Sequence, residues 1–286
     1  MPDSKNVVDL LGLSPIERFA LTTTSDLQTI AQRRKAFATY VALREKICED
    51  YLPTINSAIP FINDHTRTHL QRVLVHIEAI ISRHFVHPAQ TGGEIPSDRV
   101  IGWGDTLILI NALVWHDMGN VYGREGHAQR VKDCFAAVSG TLYDDDLKEH
   151  IRRVAEAHSG EGAIERIIPD ADAFLSYRGE NINLQFLAAV LRYADEHDED
   201  QRRIVMQEWR SLKKDGKPVV PEESHRFWHF CQRNKKLCIE HQPGDFDTHM
   251  ISVIESDLPE NEFDERFVYK KSKAVSYTHL TLPTKA

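Results

Sequence analysis

The sequence predicts a mainly α-helical bundle with a small β element towards its C-terminal end, and three observations lead there. Val73, Leu74, Ile77, Ile80 and Ile81 recur at helical spacing, as do Leu147, Ile151, Val154 and Ala155. Residues 107–115 form a strongly apolar run that suits a core helix. Strand-like patterning comes only past residue 200, where Leu237-Cys238-Ile239-Glu240-His241 and Met250-Ile251-Ser252-Val253-Ile254 are joined through Gln242-Pro243-Gly244-Asp245.

In chain order, residues 26–50 read as a helix laid on the core. Leu27, Ile30, Ala31, Ala38, Val41 and Ile47 form its stripe, and Thr22-Thr23-Thr24-Ser25-Asp26 supply capping signals. Residues 1–59 are thus an N-terminal helical segment packed on a core of residues 60–205. Residues 85–105, with His87-Pro88, Gly92-Gly93 and Pro96-Ser97, read as a loop able to cover the mouth of a site. A glycine-rich turn over residues 123–126 opens a helix whose inner face is Ala128, Val131, Cys134, Phe135 and Val138. Residues 206–273 form an α+β extension, with a turn at Lys214-Asp215-Gly216-Lys217-Pro218. There are no internal repeats.

Composition excludes more than it assigns. A chain of 286 residues can bury a real core in one large or two modest domains. The net charge of −8 argues against a general nucleic-acid or membrane-surface binder. No run approaches the ~18 apolar residues of a membrane span, and the first residues lack a basic-then-apolar signal peptide, so a cytoplasmic location is expected. Cys48, Cys134, Cys231 and Cys238 show no CxxC spacing, so neither a zinc knuckle nor a disulfide framework is indicated.

The chemistry lies at the ends of the apolar faces. His116-Asp117 closes the run 107–115, and an unpartnered buried carboxylate is expensive. A divalent ion is a partner that suits both imidazole and carboxylate. An isolated His-Asp pair is a weak signal. Four further residues repeat its logic: His69 heads the stripe of residues 73–81, His158 continues that of residues 147–155, Asp195 ends the apolar segment 186–194, and His127 enters in the first turn of its helix. Independent accidents do not readily bring metal-competent groups to the ends of five helices.

With these residues in place, the sequence resembles the HD superfamily of metal-dependent phosphohydrolases over roughly residues 60–205. His69 with Arg72-Val73 is similar to the family's first-helix motif, Leu113-Val114-Trp115-His116-Asp117-Met118-Gly119 to its doublet, and Leu191-Arg192-Tyr193-Ala194-Asp195 to its last motif. The resemblance implies an HD-domain helical bundle with His69, His116, Asp117 and Asp195 on one ion. His127 and His158 are similar to the subset that holds two ions, bridged by Asp117. Trp115 is bulkier than the residue often found before the doublet, and His158 stands alone where some binuclear members carry a His-His pair.

One or two divalent ions, of Mn, Mg, Zn, Co or Fe, are therefore expected, lowering the pKa of a bound water towards ~7 and polarising a phosphoryl oxygen. The expected substrate is a small phosphorylated molecule of the nucleotide class. Arg72, Arg124 and Arg130 are candidates to bind it. Asp117, Arg192 and Glu125 are the candidate catalytic residues, with Glu161 a second candidate for proton transfer. Beyond Asp195, the run Glu196-His197-Asp198-Glu199-Asp200 reads as a solvated acidic helix end. Two other classes stay open: a catalytically quiet nucleotide-binding HD module, and an HD-type di-iron oxygenase. No Walker loop, GxGxxG or aromatic stacking motif names the substrate.

Residues 274–286 resemble a translated sequencing adapter. A non-native tail is expected there, and His279 is left out of the ligand set.

Overall fold

The structure, a computed structural model, describes residues 13–22, 27–59, 64–81, 101–139 and 143–204, and then 213–214, 217–218, 231, 234–241 and 250–256. Residues 85–100 of the loop expected at 85–105, the capping signals at 23–26 and the tail at 274–286 lie outside the described residues.

Helices α1 (Pro15–Thr22), α2 (Leu27–Lys46) and α3 (Leu52–Ala58) come first, with a π-helical turn Ile47–Tyr51 between the last two. They are followed by α4 (Arg67–Ile81), α5 (Trp103–Trp115), α6 (His127–Ser139), α7 (Asp145–Glu156), the short α8 (Ala163–Ile167) and α9 (Leu184–Glu196). Among the described residues three antiparallel strand pairs are present: β1 (Phe174–Tyr177) with β2 (Glu180–Asn183), β3 (Lys213–Lys214) with β4 (Lys217–Pro218), and β5 (Asn234–His241) with β6 (Met250–Ser256).

Every residue of α5 is buried, which is why its sequence shows no polar stripe. It runs through the middle of the bundle against α1, α2, α4, α7 and α9. The amphipathic neighbours turn their predicted stripes inward: Val73, Ile77, Ile80 and Ile81 from α4, and Leu147, Ile151, Val154 and Ala155 from α7, are all buried. Asn111, inside the bundle, has both ends of its side-chain amide paired. Asn111 Nδ2 donates to the Leu107 carbonyl at 2.8 Å, and its Oδ1 accepts from the Tyr143 hydroxyl at 2.7 Å.

Three expectations are corrected. The buried line of α2 is Phe37, Tyr40 and Leu43, continued by Ile47, whereas Ala31 and Ala38 face solvent. The aromatics claim the core because they bury far more area than alanine. Residues 103–105, expected within a loop, instead open α5, with Asp105 accepting from the Gly102 amide at 3.0 Å. Third, the β1–β2 hairpin was not foreseen. Its two-residue turn, Arg178-Gly179, has φ of 51° and 82°, and Arg-Gly is not the Asn-Gly signature of such turns. The hairpin braces two helices: Glu180 accepts from the Gly104 amide of α5 at 2.8 Å, and Tyr177 donates at 2.9 Å to Asp144, which caps α7. The expected C-terminal β element is present as β5–β6, and β5 packs against α4.

Candidate metal centre

Chain breaks at helix ends position the polar cluster. The last turn of α5 delivers His116, and the chain leaves the helix through Asp117 into a 3-10 turn, Met118–Tyr122. That turn folds back so closely that a Cβ on Gly119 would lie 1.8 Å from the His127 carbonyl oxygen. Glycine there lets the start of α6 approach. His158 follows the end of α7 by two residues, His69 lies in the first turn of α4, and Asp195 sits in the last turn of α9.

Two donor sets result. In the first, His69 Nε2 stands 3.4 Å from each of His116 Nε2, Asp117 Oδ2 and Asp195 Oδ1. His116 Nε2 is 3.0 Å from Asp117 Oδ2 and 3.7 Å from Asp195 Oδ1. In the second set, Asp117 presents its other oxygen, Oδ1, to His127 Nε2 at 3.6 Å and to His158 Nε2 at 4.0 Å, and those two nitrogens are 3.3 Å apart. Donors about 2.0–2.1 Å from one ion, at the corners of a tetrahedron, stand roughly 3.3 Å from one another. Both sets have that scale, and both could hold a metal ion.

The imidazoles are turned the same way. Nδ1 of His116, His158 and His127 faces the carbonyl three residues earlier, Leu113 at 2.6 Å, Ala155 at 2.6 Å and Arg124 at 3.1 Å. Nδ1 of His69 faces Asp198 Oδ2 at 2.6 Å. A carbonyl or carboxylate can only accept, so Nδ1 carries the proton and each Nε2 offers a lone pair. Two such nitrogens face to face repel unless a proton or cation lies between them. Asp117 Oδ2 and Asp195 Oδ1 are buried without a hydrogen-bond partner among the described residues, as ligand atoms waiting for an ion would be. The donor set therefore fits a divalent metal.

The electrostatics carry the same strain. Burial opposes the imidazolium of His116, but the Asp117 and Asp195 carboxylates beside it win and raise its pKa to about 10. Burial and the neighbouring His116 and His127 push His158 down to about 3. Burial would raise Asp117 and Asp195, yet the surrounding imidazoles hold both well below the usual carboxylate range.

The remaining expected site residues lie as follows. Arg72 is buried with its guanidinium on Asp198 and Asp64, so it faces protein carboxylates and not the mouth. Arg124 and Glu125 are exposed on the segment between Asp117 and His127, and Arg130, exposed in α6, donates to the Tyr122 carbonyl at 2.9 Å. Arg192 donates to the Gly160 carbonyl at 2.7 Å. Glu161 is exposed.

The acidic run after Asp195 is not a solvated helix end. His197, Asp198, Glu199 and Asp200 are all buried, because Arg72 pairs with the Asp198 carboxylate, Arg202 with that of Asp200, and the Arg203 guanidinium adds positive charge beside Asp198 and Glu199. The sequence reading missed three residues at the site. His65 is buried with Nε2 3.5 Å from Asp117 Oδ2, Asp198 holds His69, and Arg203 Nη2 lies 3.8 Å from Asp195 Oδ1. Signals existed: His65 precedes His69 by four residues, and Arg202-Arg203 follow the acidic run closely enough to balance it.

No helix among the described residues is long and apolar enough to cross a membrane. Searches of curated proteins and of solved structures returned no match. A family model described as HD-CE matches residues 52–275, most of the chain and all of the His/Asp cluster described above, and the chain therefore belongs to the HD-CE family, an HD-type domain.

Proposed function

We propose that this HD-type domain is a metal-dependent phosphohydrolase acting on a nucleotide or related small phosphoester. The observation that carries the reading is the division of one carboxylate, Asp117, between two donor sets, each built from Nε2-facing imidazoles. Paired sites of this kind suit an in-line displacement at phosphorus. His69, His116, Asp117 and Asp195 would hold one ion, and Asp117, His127 and His158 a second. Bound there, divalent ions supply Lewis-acid polarisation of a phosphoryl oxygen and a water acidic enough to attack at neutral pH.

The protein's own groups support the rest of the reading. Asp117 orients both halves of the site and is itself fixed by Asn120 Nδ2, which donates to Oδ1 at 2.9 Å. Arg124 and Arg130, exposed beside the site, are proposed to clamp the substrate's phosphate oxygens, and Glu125 to shuttle a proton to the leaving group. Arg203, with Nη2 3.8 Å from Asp195 Oδ1, and Arg192, three residues before Asp195 on α9, are proposed to offset charge on the phosphoryl group. Arg72 is assigned to holding the site rather than the substrate. A cytoplasmic location fits a nucleotide-class substrate.

The test is a hydrolysis screen of purified protein loaded with Mn²⁺, Mg²⁺, Co²⁺ or Zn²⁺ against nucleoside mono-, di- and triphosphates, cyclic dinucleotides and generic phosphoesters. Turnover that disappears in Asp117→Ala is the expected result. Metal binding with no turnover on any phosphoester would point to a quiet regulatory module. Mixed-valent iron, seen by electron spin resonance, would point to oxygen chemistry instead.

A further inference from the structure

Three of the four imidazoles in the metal centre lean on backbone carbonyls of their own helical turn, and His69 alone leans on a side chain. Its Nδ1 is 2.6 Å from Asp198 Oδ2, and that carboxylate comes from a segment 129 residues away in sequence. Asp198 is fully buried and its position is over-determined. Arg72 grips both oxygens, Nε to Oδ1 at 2.5 Å and Nη2 to Oδ2 at 2.9 Å. The same Nη2 reaches Asp64 Oδ2 at 3.1 Å, while the Asp64 amide donates to the Arg203 carbonyl at 3.0 Å and Arg203 Nη1 donates to the Asp198 carbonyl at 3.2 Å. The loop after α9 and the lead-in to α4 are thus locked through one guanidinium–carboxylate pair, with His69 at its end.

A bidentate arginine pair fixes a carboxylate in angle as well as in distance. A carboxylate on the far nitrogen of a ligating imidazole sets the tautomer, holds the ring orientation and makes the ligand more basic than a carbonyl does. We infer that Asp198 is the positioning residue of the first metal set: held by Arg72 and Asp64, it fixes His69 as an Nε2 donor and makes that set depend on the loop after α9, while the His127–His158 set has no such dependence. The inference rests on reading His69 as a metal ligand.

The experiment compares wild type, Asp198→Asn and Arg72→Lys in two readouts. The first is the ¹⁵N spectrum of His69 in the metal-stripped protein, assigned with His69→Gln. Wild type should show a protonated Nδ1 and a bare Nε2, and Asp198→Asn should lose that uniform tautomer. The second is Mn²⁺ titration by calorimetry. Asp198→Asn should weaken the set containing His69 by about 10- to 100-fold and leave the His127–His158 set within about twofold; Arg72→Lys should do the same more mildly. Equal weakening of both sets would mark a general packing role and overturn the inference, as would unchanged affinity for both. If the asparagine variant does not fold, the wild-type spectrum still decides, because a His69 protonated on Nε2 and bare on Nδ1 overturns it. A correct tautomer in a protein that binds no Mn²⁺ overturns the metal reading instead, and with it this role for Asp198.

Discussion

The backbone of Gly119 lies against that of His127, leaving no room for a single methyl group: a Cβ at position 119 would meet the His127 carbonyl oxygen at 1.8 Å. The obstacle is main chain and cannot rotate away. Gly119→Ala is therefore expected to push the start of α6 outward and carry His127 with it, at a folding cost of about 1–3 kcal/mol. Calorimetric titration should show the second ion weakened and the first retained. An alanine variant that binds two ions as tightly as wild type would contradict this.

Metal uptake should be linked to protons with a defined sign. His116 carries a pKa raised from 6.5 to about 10 in the metal-stripped site. Its charged form thus stabilises the fold fully below pH 6.5, and that contribution is lost as pH rises through about 10. A bound ion replaces this proton, so at pH 8 uptake should release one and the affinity should climb with pH. His158, pushed down to about 3, is already neutral in this window and contributes nothing to the slope. Thermal midpoints between pH 6.5 and 10 should fall in stripped protein and stay flatter in loaded protein. Parallel curves would exclude His116 as the group displaced.

Tyr143→Phe should separate stability from metal binding. The variant removes the 2.7 Å hydrogen bond to Asn111 Oδ1 inside the bundle and leaves that oxygen buried. The expected cost is about 1–3 kcal/mol in chemical denaturation. Metal stoichiometry should not change, because neither residue touches a donor. Loss of metal in a folded variant would show that α5 cannot shift without disturbing His116.

The buried His/Asp cluster was legible because helical periodicity marks which face is buried, and His69, His116, Asp117, His158 and Asp195 all end such faces. The HD-type family follows from the same residues. What periodicity cannot show is how irregular segments meet. Asp198 and Arg203 lie past the end of α9, where there is no repeat to assign a face, and Arg72 looked like a phosphate ligand because nothing local reveals its partner 126 residues on. The β1–β2 hairpin escaped for a related reason, since Arg178-Gly179 lacks the usual turn residues. In α2, counting small apolar residues misplaced a stripe that Phe37, Tyr40 and Leu43 decide by bulk.

The central claim, that Asp117 serves two metal sites at once, is tested most directly by elemental analysis of folded wild type, His158→Ala and Asp117→Ala after Mn²⁺ loading and desalting. The account predicts about two ions per chain in wild type, about one in His158→Ala and close to none in Asp117→Ala, because only the aspartate touches both donor sets. Wild-type metal content in folded Asp117→Ala, or a wild type that saturates at a single ion, would contradict it.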